Sequence, residues 1–247
     1  MLRTLQLSHG LIPFSLLAAA SLGCGGDDLV LPQPPSAKDF RVSAISGTSQ
    51  VGTVGEPLPN PLVVEVRDQR DQPVSGWKVA FVPTQGAVAG TVSPDTAETN
   101  EDGRASSRWV LGTTPGTYTV DAQLVPTDSS GAPGPAQFQA SAHAGAADSM
   151  AAVSAQNQPG RREEELPEPV VVKLLDRFGN PVPGVNVHWE VQSGDGEVSD
   201  SDVVTDDSGQ AGVRWLLGDR LGVQKLSASA EGDLKGSPIV FTAVVLF

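Results

Sequence analysis

The 247-residue sequence has one cysteine, three histidines and few basic residues. A single cysteine cannot form a disulfide within the chain, and no His or Cys spacing typical of a metal site occurs. Lys and Arg total 16 against 29 Asp and Glu, for a net charge of −13. This charge argues against nucleic-acid binding, which needs a basic surface. No Ser or Cys nucleophile lies in a recognisable setting. We therefore expect no enzyme activity and no cofactor.

Glycine and proline, in contrast, are abundant, with 27 and 20 residues. No long segment has helical periodicity, and 39% of the residues are hydrophobic. A folded chain of this kind is typically built from many short strands joined by tight turns.

The first residues predict an export signal. The start, MLRTLQLSHG, carries one Arg, and the apolar run LIPFSLLAAASLG is too short to span a bilayer as a helix. The following Cys24 stands where the lipobox of bacterial lipoproteins has its lipidated cysteine, and this resemblance implies a signal peptide at 1–23. Ser21 departs from the aliphatic residue usual in that motif. Cleavage after Ala20, which would leave Cys24 as a free thiol, stays open as the alternative.

Residues 24–37, rich in Gly, Pro and Asp, have the composition of a flexible tether. Acyl chains on Cys24 would hold the protein on a membrane by ~0.8 kcal/mol per buried methylene. These features predict an exported cell-envelope protein, lipid-anchored at the outer membrane or cell surface.

An internal repeat defines two domains. Residues 58–81 align with residues 166–189 at an offset of 108, with ten of 24 positions identical. Residues 99–112 align with residues 205–218, with seven of 14 identical. We predict domains at 38–145 and 146–247, which meet across a short, stiff segment at 141–154.

Apolar residues alternate within each copy, which is the strand period. Val187 and Trp189 share one face with Val185 and Val191, while His188 and Glu190 take the other. The same alternation assigns all four tryptophans to the core rather than to an exposed sugar-stacking surface: Trp77, Trp109, Trp189 and Trp215. The pattern predicts an all-β chain with two tandem antiparallel β-sandwiches of about seven strands each.

The phrase DRFGNPVPGVNVHWEV and the later TDDSGQA turn resemble the bacterial immunoglobulin-like domains of the invasin and intimin type. In the first copy, Asp71 and Gln72 replace the Gly-Asn of this phrase, so that copy is the more diverged. The resemblance implies immunoglobulin-like sandwiches that serve as non-enzymatic stalks or binding modules on cell surfaces.

The repeated phrase itself has two interpretations. Asp176 lies at a strand end and could contact a metal or ligand. The turn interpretation is favoured, because Gly179 can adopt positive φ and an aspartate at the first position can accept hydrogen bonds from the turn's amides.

Other candidate residues are weaker. Carboxylates crowd one hairpin region of the second copy and suggest calcium, although the spacing is not that of an EF-hand: Asp195, Glu197, Asp200, Asp202, Asp206 and Asp207. Arg108 and Arg214 point outward at equivalent positions, as a ligand patch or as partners of local carboxylates.

These observations favour a spacer and interaction module of the cell envelope, with a role in adhesion, whose loops would carry any protein or glycan partner. The alternative is a carbohydrate- or calcium-binding accessory module.

Overall fold

The computed structural model describes residues 39–125, 131 and 133–246. The predicted signal peptide, Cys24 and tether lie outside these residues. The described chain consists of β-strands, turns and a short 3-10 helix at Gly86–Ala89, which confirms the all-β prediction. None of its helices combines the length and apolarity needed to cross a membrane.

The first copy, called the first sandwich below, contains the strands β1 to β9 of the described chain. They are β1 (Arg41–Ser46), β2 (Gln50–Thr53), β3 (Leu62–Arg67), β4 (Lys78–Pro83), β5 (Thr91–Ser93), β6 (Thr96–Glu98), β7 (Arg104–Val110), β8 (Gly116–Leu124) and β9 (Ala136–His143). One sheet has the order β1-β3-β7-β5, and the other has the order β2-β9-β8-β4-β6.

The second copy, called the second sandwich, contains the strands β10 to β19. They are β10 (Ala147–Ala152), β11 (Asn157–Gly160), β12 (Val170–Asp176), β13 (Asn186–Ser193), β14 (Glu197–Val198), β15 (Asp202–Val204), β16 (Gln210–Val213), β17 (Trp215–Leu216), β18 (Gly222–Ala230) and β19 (Ile239–Val245). Its sheets are β10-β12-β16 and β11-β19-β18-β13-β15, and β14 pairs with β17.

The strand pairing differs from a purely antiparallel sandwich at one edge of each copy. β2 runs parallel to β9, and β11 runs parallel to β19. The reason is that the chain enters each copy on one sheet and then crosses to the other. In the first sandwich this crossing uses Gly47, whose φ is 92° and where a Cβ would lie 2.2 Å from the carbonyl oxygen of Pro61.

Each sandwich has its own apolar core, formed where the inward faces of its two sheets meet. Phe81 and Phe138 pack in the first core with their ring centroids 6.4 Å apart. Trp189 and Phe241 pack in the second with centroids 6.1 Å apart. Burial of each such side chain contributes about 1.5–3 kcal/mol, so the sandwiches are stabilised by their cores without a disulfide.

Only residues 144–146 separate β9 from β10. This short connection brings the end of the first sandwich next to the loop that follows β12. That loop contains the repeated phrase of the sequence, and its surroundings are described next.

Candidate functional site

The loop Asp176–Asn180, called the junction loop below, is a tight turn after β12. One carboxylate oxygen of Asp176, Oδ1, accepts hydrogen bonds from the amides of Phe178 and Asn180, each at 2.9 Å. The amide of Gly179 donates to the Asp176 carbonyl at 3.0 Å, and Gly179 has a φ of 83°. Aspartate and glycine thus fill the positions that such a turn requires, as the sequence indicates.

Asp176 is 3% exposed, and its second carboxylate oxygen is also bonded. Oδ2 accepts from the amide of Gly145 at 3.0 Å and from the side-chain nitrogen of Asn180 at 2.9 Å. Burial acts to raise the pKa of Asp176. The hydrogen bonds from Asn180, Gly145 and Phe178 together outweigh burial and hold that pKa below its usual value. Asp176 is therefore an ionised carboxylate that ties the turn to the segment between the sandwiches.

The junction loop also contacts the first sandwich directly. The side-chain nitrogen of Asn180 donates to the carbonyl of Thr113 at 2.8 Å. The guanidinium of Arg177 donates to Glu56 Oε1 at 2.6 Å. Both contacts join residues of different copies, so the loop has a role between the sandwiches as well as within one of them.

Phe178 completes this contact. Its ring lies over Gly55, which has a φ of 71°, and a Cβ built on Gly55 would be 2.6 Å from the Phe178 Cζ atom. The Arg177 guanidinium carbon stands 4.7 Å from the centroid of the same ring, within cation–π range. Glycine at position 55 leaves the space that the ring occupies.

The sequence predicts the turn but not its partner. Glu56, Gly55 and Thr113 carry no recognisable motif, and they approach the loop only through the fold. The signal in the sequence that could have indicated this contact is a difference between the copies. Arg70 and Asp71 of the first copy stand where the second copy has Phe178 and Gly179.

The four tryptophans occupy two environments. Trp109, Trp189 and Trp215 lie at the centres of the cores with at most 1% exposure. Trp77 is half-buried at the margin of the first core, where it meets Phe40 edge to face with centroids 4.7 Å apart. The three buried rings are unavailable for stacking on a sugar.

The six candidate calcium ligands do not converge. Asp195 pairs with Arg220 at 2.9 Å, and Asp206 accepts the amides of Ser208 and Gln210 in a turn. In the part of the chain that the structure describes, no three His, Cys, Asp or Glu side chains are grouped to hold a metal ion.

Asp202 has a different surrounding on the outer sheet face. It accepts hydrogen bonds from Asn186, His188 and Ser201. The bond from Asn186, followed by those from His188 and Ser201, lowers the pKa of Asp202 below its usual value. The group is exposed, so it organises this surface without forming a closed site.

The two equivalent arginines also differ. Arg214 pairs with Glu165 at 3.0 Å, with both side chains at least half exposed. Arg108 forms no ion pair with any of the described residues. Arg214 thus pairs with a local carboxylate, which is one of the two interpretations of its outward position.

Among the described residues of the first sandwich, Glu65 is a buried carboxylate. It receives hydrogen bonds from Arg67 at 2.7 Å and 3.1 Å, and Arg104 lies at 3.5 Å. The hydrogen bond from Arg67 lowers the pKa of Glu65, although burial opposes this effect. This cluster lies within one sheet and joins β3 to β7.

Comparison with known sequences identifies the repeat. The profile of the family described as Bacterial Ig-like domain (group 1) matches residues 58–139 and residues 167–244. The two matched segments together cover more than half of the chain, and each lies within one of the two sandwiches. No curated protein sequence matches the chain.

A solved structure has the same fold. The chain is similar to the Escherichia coli adhesin FdeC, with 17% sequence identity and a TM-score of 0.50, over 85% of this chain and 65% of that one. Yersinia pseudotuberculosis InvD matches with 14% identity and a TM-score of 0.47, over 85% and 58%. The chain therefore spans less than two thirds of either structure.

Proposed function

Because the chain belongs to the Bacterial Ig-like domain (group 1) family, we propose that it is a non-enzymatic spacer and interaction module of the bacterial cell envelope that acts in adhesion. The observation that carries this proposal is the tandem arrangement of two family copies. Most of their large aromatic side chains lie in the cores, and the repeated turns shape the ends of the strands. The fold shared with FdeC, which is an adhesin, supports the same role.

Recognition would then be carried by the loops at the ends of the sandwiches. A sandwich holds its loops on a stable scaffold, and loop sequences can vary without loss of the core. We propose a protein or glycan partner for these loops.

The proposed attachment to the membrane is a lipid on Cys24. The lipobox-like sequence before this residue and the Gly-, Pro- and Asp-rich residues after it support this proposal. One acyl chain alone gives marginal membrane binding, so stable anchoring would require two or more.

Metabolic labelling with palmitate tests the anchor. We expect label on the parent chain and none on Cys24→Ala, together with release of the variant from the membrane fraction. Label on both chains, or on neither, would contradict the anchor while leaving the sandwich function open.

Adherence of whole cells tests the module. Cells that lack the protein should adhere less to a host-cell layer or glycan surface than cells that express it. Cells that express Cys24→Ala serve as the control, because they make the same sandwiches without the proposed anchor. Equal adherence of the deleted and parent cells would overturn the adhesion proposal.

A further inference from the structure

The end of the first sandwich that meets the junction loop has a counterpart at the far end of the second sandwich. Gly55 of the first sandwich corresponds to Glu163 of the second. Both residues have a positive φ, which is 71° for Gly55 and 57° for Glu163. Three residues later in each copy, a leucine amide donates to the carbonyl of a core tryptophan, over 2.8 Å and 3.0 Å. The two turns are therefore the same structure with different side chains.

That difference decides what each end can accept. At Gly55 a Cβ would lie 2.6 Å from the Phe178 ring, closer than a Cβ atom approaches another heavy atom in real proteins. Glu163 carries such a Cβ and a longer side chain at the matching place. The end of the second sandwich therefore has no room for a phenylalanine placed as Phe178 is.

The loops that could enter these ends differ as well. In the first copy, Gln69 and Arg70 stand in place of Arg177 and Phe178. The loop of the first copy keeps the turn but lacks both the ring that covers Gly55 and the guanidinium that binds Glu56. Among the described residues, the junction loop and the Gly55 end are therefore the one loop and end of the two copies that are complementary.

From these observations we propose that the Gly55 end of the first sandwich is a docking surface for the junction loop of the second, and that Phe178 is its specificity-determining residue. Docking holds the two sandwiches in one orientation, with Asn180 and Arg177 bonded to the first sandwich around the ring. Glu163 closes the equivalent end of the second sandwich to the same contact.

The test measures the distance between the sandwiches. Spin labels are placed at the exposed positions Gln139 and Lys225 through cysteine substitutions, in the full-length chain carrying Cys24→Ser. Domains joined by small interfaces move relative to one another by default. For the docked junction, double electron–electron resonance should instead give one narrow distance distribution.

Two variants should release the docking. Phe178→Ala removes the ring, and Gly55→Glu introduces the side chain that the second sandwich tolerates at the same turn. Each should widen the distance distribution to about twice that of the parent or more, because the default interdomain motion returns. Phe178 is 40% exposed, so its loss should leave both cores folded.

Arg70→Ala is the matched control, since it alters the corresponding loop position of the first copy, away from the junction. Its distribution should equal that of the parent. A broad distribution in the parent, or an unchanged width in Phe178→Ala, would overturn the proposal. Circular dichroism melting of each variant separates loss of docking from loss of folding.

Discussion

The loops that follow β3 and β12 begin with the same aspartate but have different surroundings. Asp68 accepts hydrogen bonds from the amides of Arg70 and Gln72, both at 2.8 Å. Asp176 makes the equivalent two bonds and adds two more, from Gly145 and from the Asn180 side chain. The first loop is a solvated turn, whereas the second is a turn buried against another domain.

The comparison separates two uses of one sequence motif. The bonds that both aspartates make are those needed to form the turn, so they account for the repetition of the phrase. Of the two bonds that only Asp176 makes, one comes from Gly145 between the sandwiches, and the other comes from the side chain of Asn180, which also donates to Thr113 of the first sandwich. Gly179 of the second copy and the equivalent Asp71 of the first both have a positive φ, at 83° and 64°. Asp71 also pairs with Arg41 of its own sandwich. Among the residues that the structure describes, the more diverged loop bonds residues of the first sandwich only.

The largest effect is expected from truncation of a core tryptophan, which tests whether the two cores are independent. Trp215→Ala should cost about 3–5 kcal/mol of unfolding free energy, because it leaves a cavity in the second core. Trp109→Ala should cost a similar amount in the first core. Hydrogen-exchange mass spectrometry should show lost protection in the mutated sandwich alone. Equal loss in both sandwiches would show that they unfold as one unit.

The next effect distinguishes the two aspartates. Asp176→Ala should cost about 3 kcal/mol, since it leaves buried donors without their charged acceptor. Asp68→Ala should cost about 1 kcal/mol, because water can replace the bonds of a partly exposed turn. Urea unfolding of both variants measures the difference. Equal costs would mean that the additional bonds of Asp176 contribute nothing to stability.

Acid pH should reduce the contribution of Asp176 to the free energy of unfolding. The folded-state pKa of Asp176 is lowered, so its contribution to stability is complete above the unfolded pKa of about 3.9 and is lost as pH falls through the folded value. We expect the unfolding free energies of the parent and Asp176→Asn to converge as the pH is lowered below about 4. A gap that stays constant over this range would contradict the role of the ionised carboxylate.

The sequence was sufficient for the parts of the fold that local chemistry determines. Alternation placed Trp189 and Trp215 on inward faces, and the Asp-Gly pattern predicted the turn at Asp176. It was insufficient where two distant segments meet. Nothing near Gly55 indicates that its missing side chain makes room for Phe178, 123 positions later. A contact of this kind depends on how the two sandwiches are placed, and neither strand period nor turn chemistry determines that placement.

A smaller difference is expected from the indole nitrogens of the equivalent tryptophans. Trp109 Nε1 donates to the carbonyl of Ala89 at 2.8 Å, whereas Trp215 Nε1 has no protein partner among the described residues. The residue matching Ala89 is Asp195, which has a φ of 55° and belongs to a shorter loop. Trp109→Phe should therefore cost about 1 kcal/mol more than Trp215→Phe in thermal or urea unfolding. A larger cost for Trp215→Phe would contradict this assignment.

The smallest effect is expected at the equivalent arginines on the outer faces. Arg214 bonds Glu165 at 3.0 Å, but both side chains are well exposed, and solvent-exposed ion pairs contribute little to stability. Arg214→Ala and Arg108→Ala should each change the unfolding free energy by less than about 0.5 kcal/mol. In high salt, the unfolding free energy of Arg214→Ala should be still closer to that of the parent, because salt screens the ion pair. A loss above about 1 kcal/mol at Arg214 alone would mean that its pair with Glu165 is a structural contact that the first copy lacks.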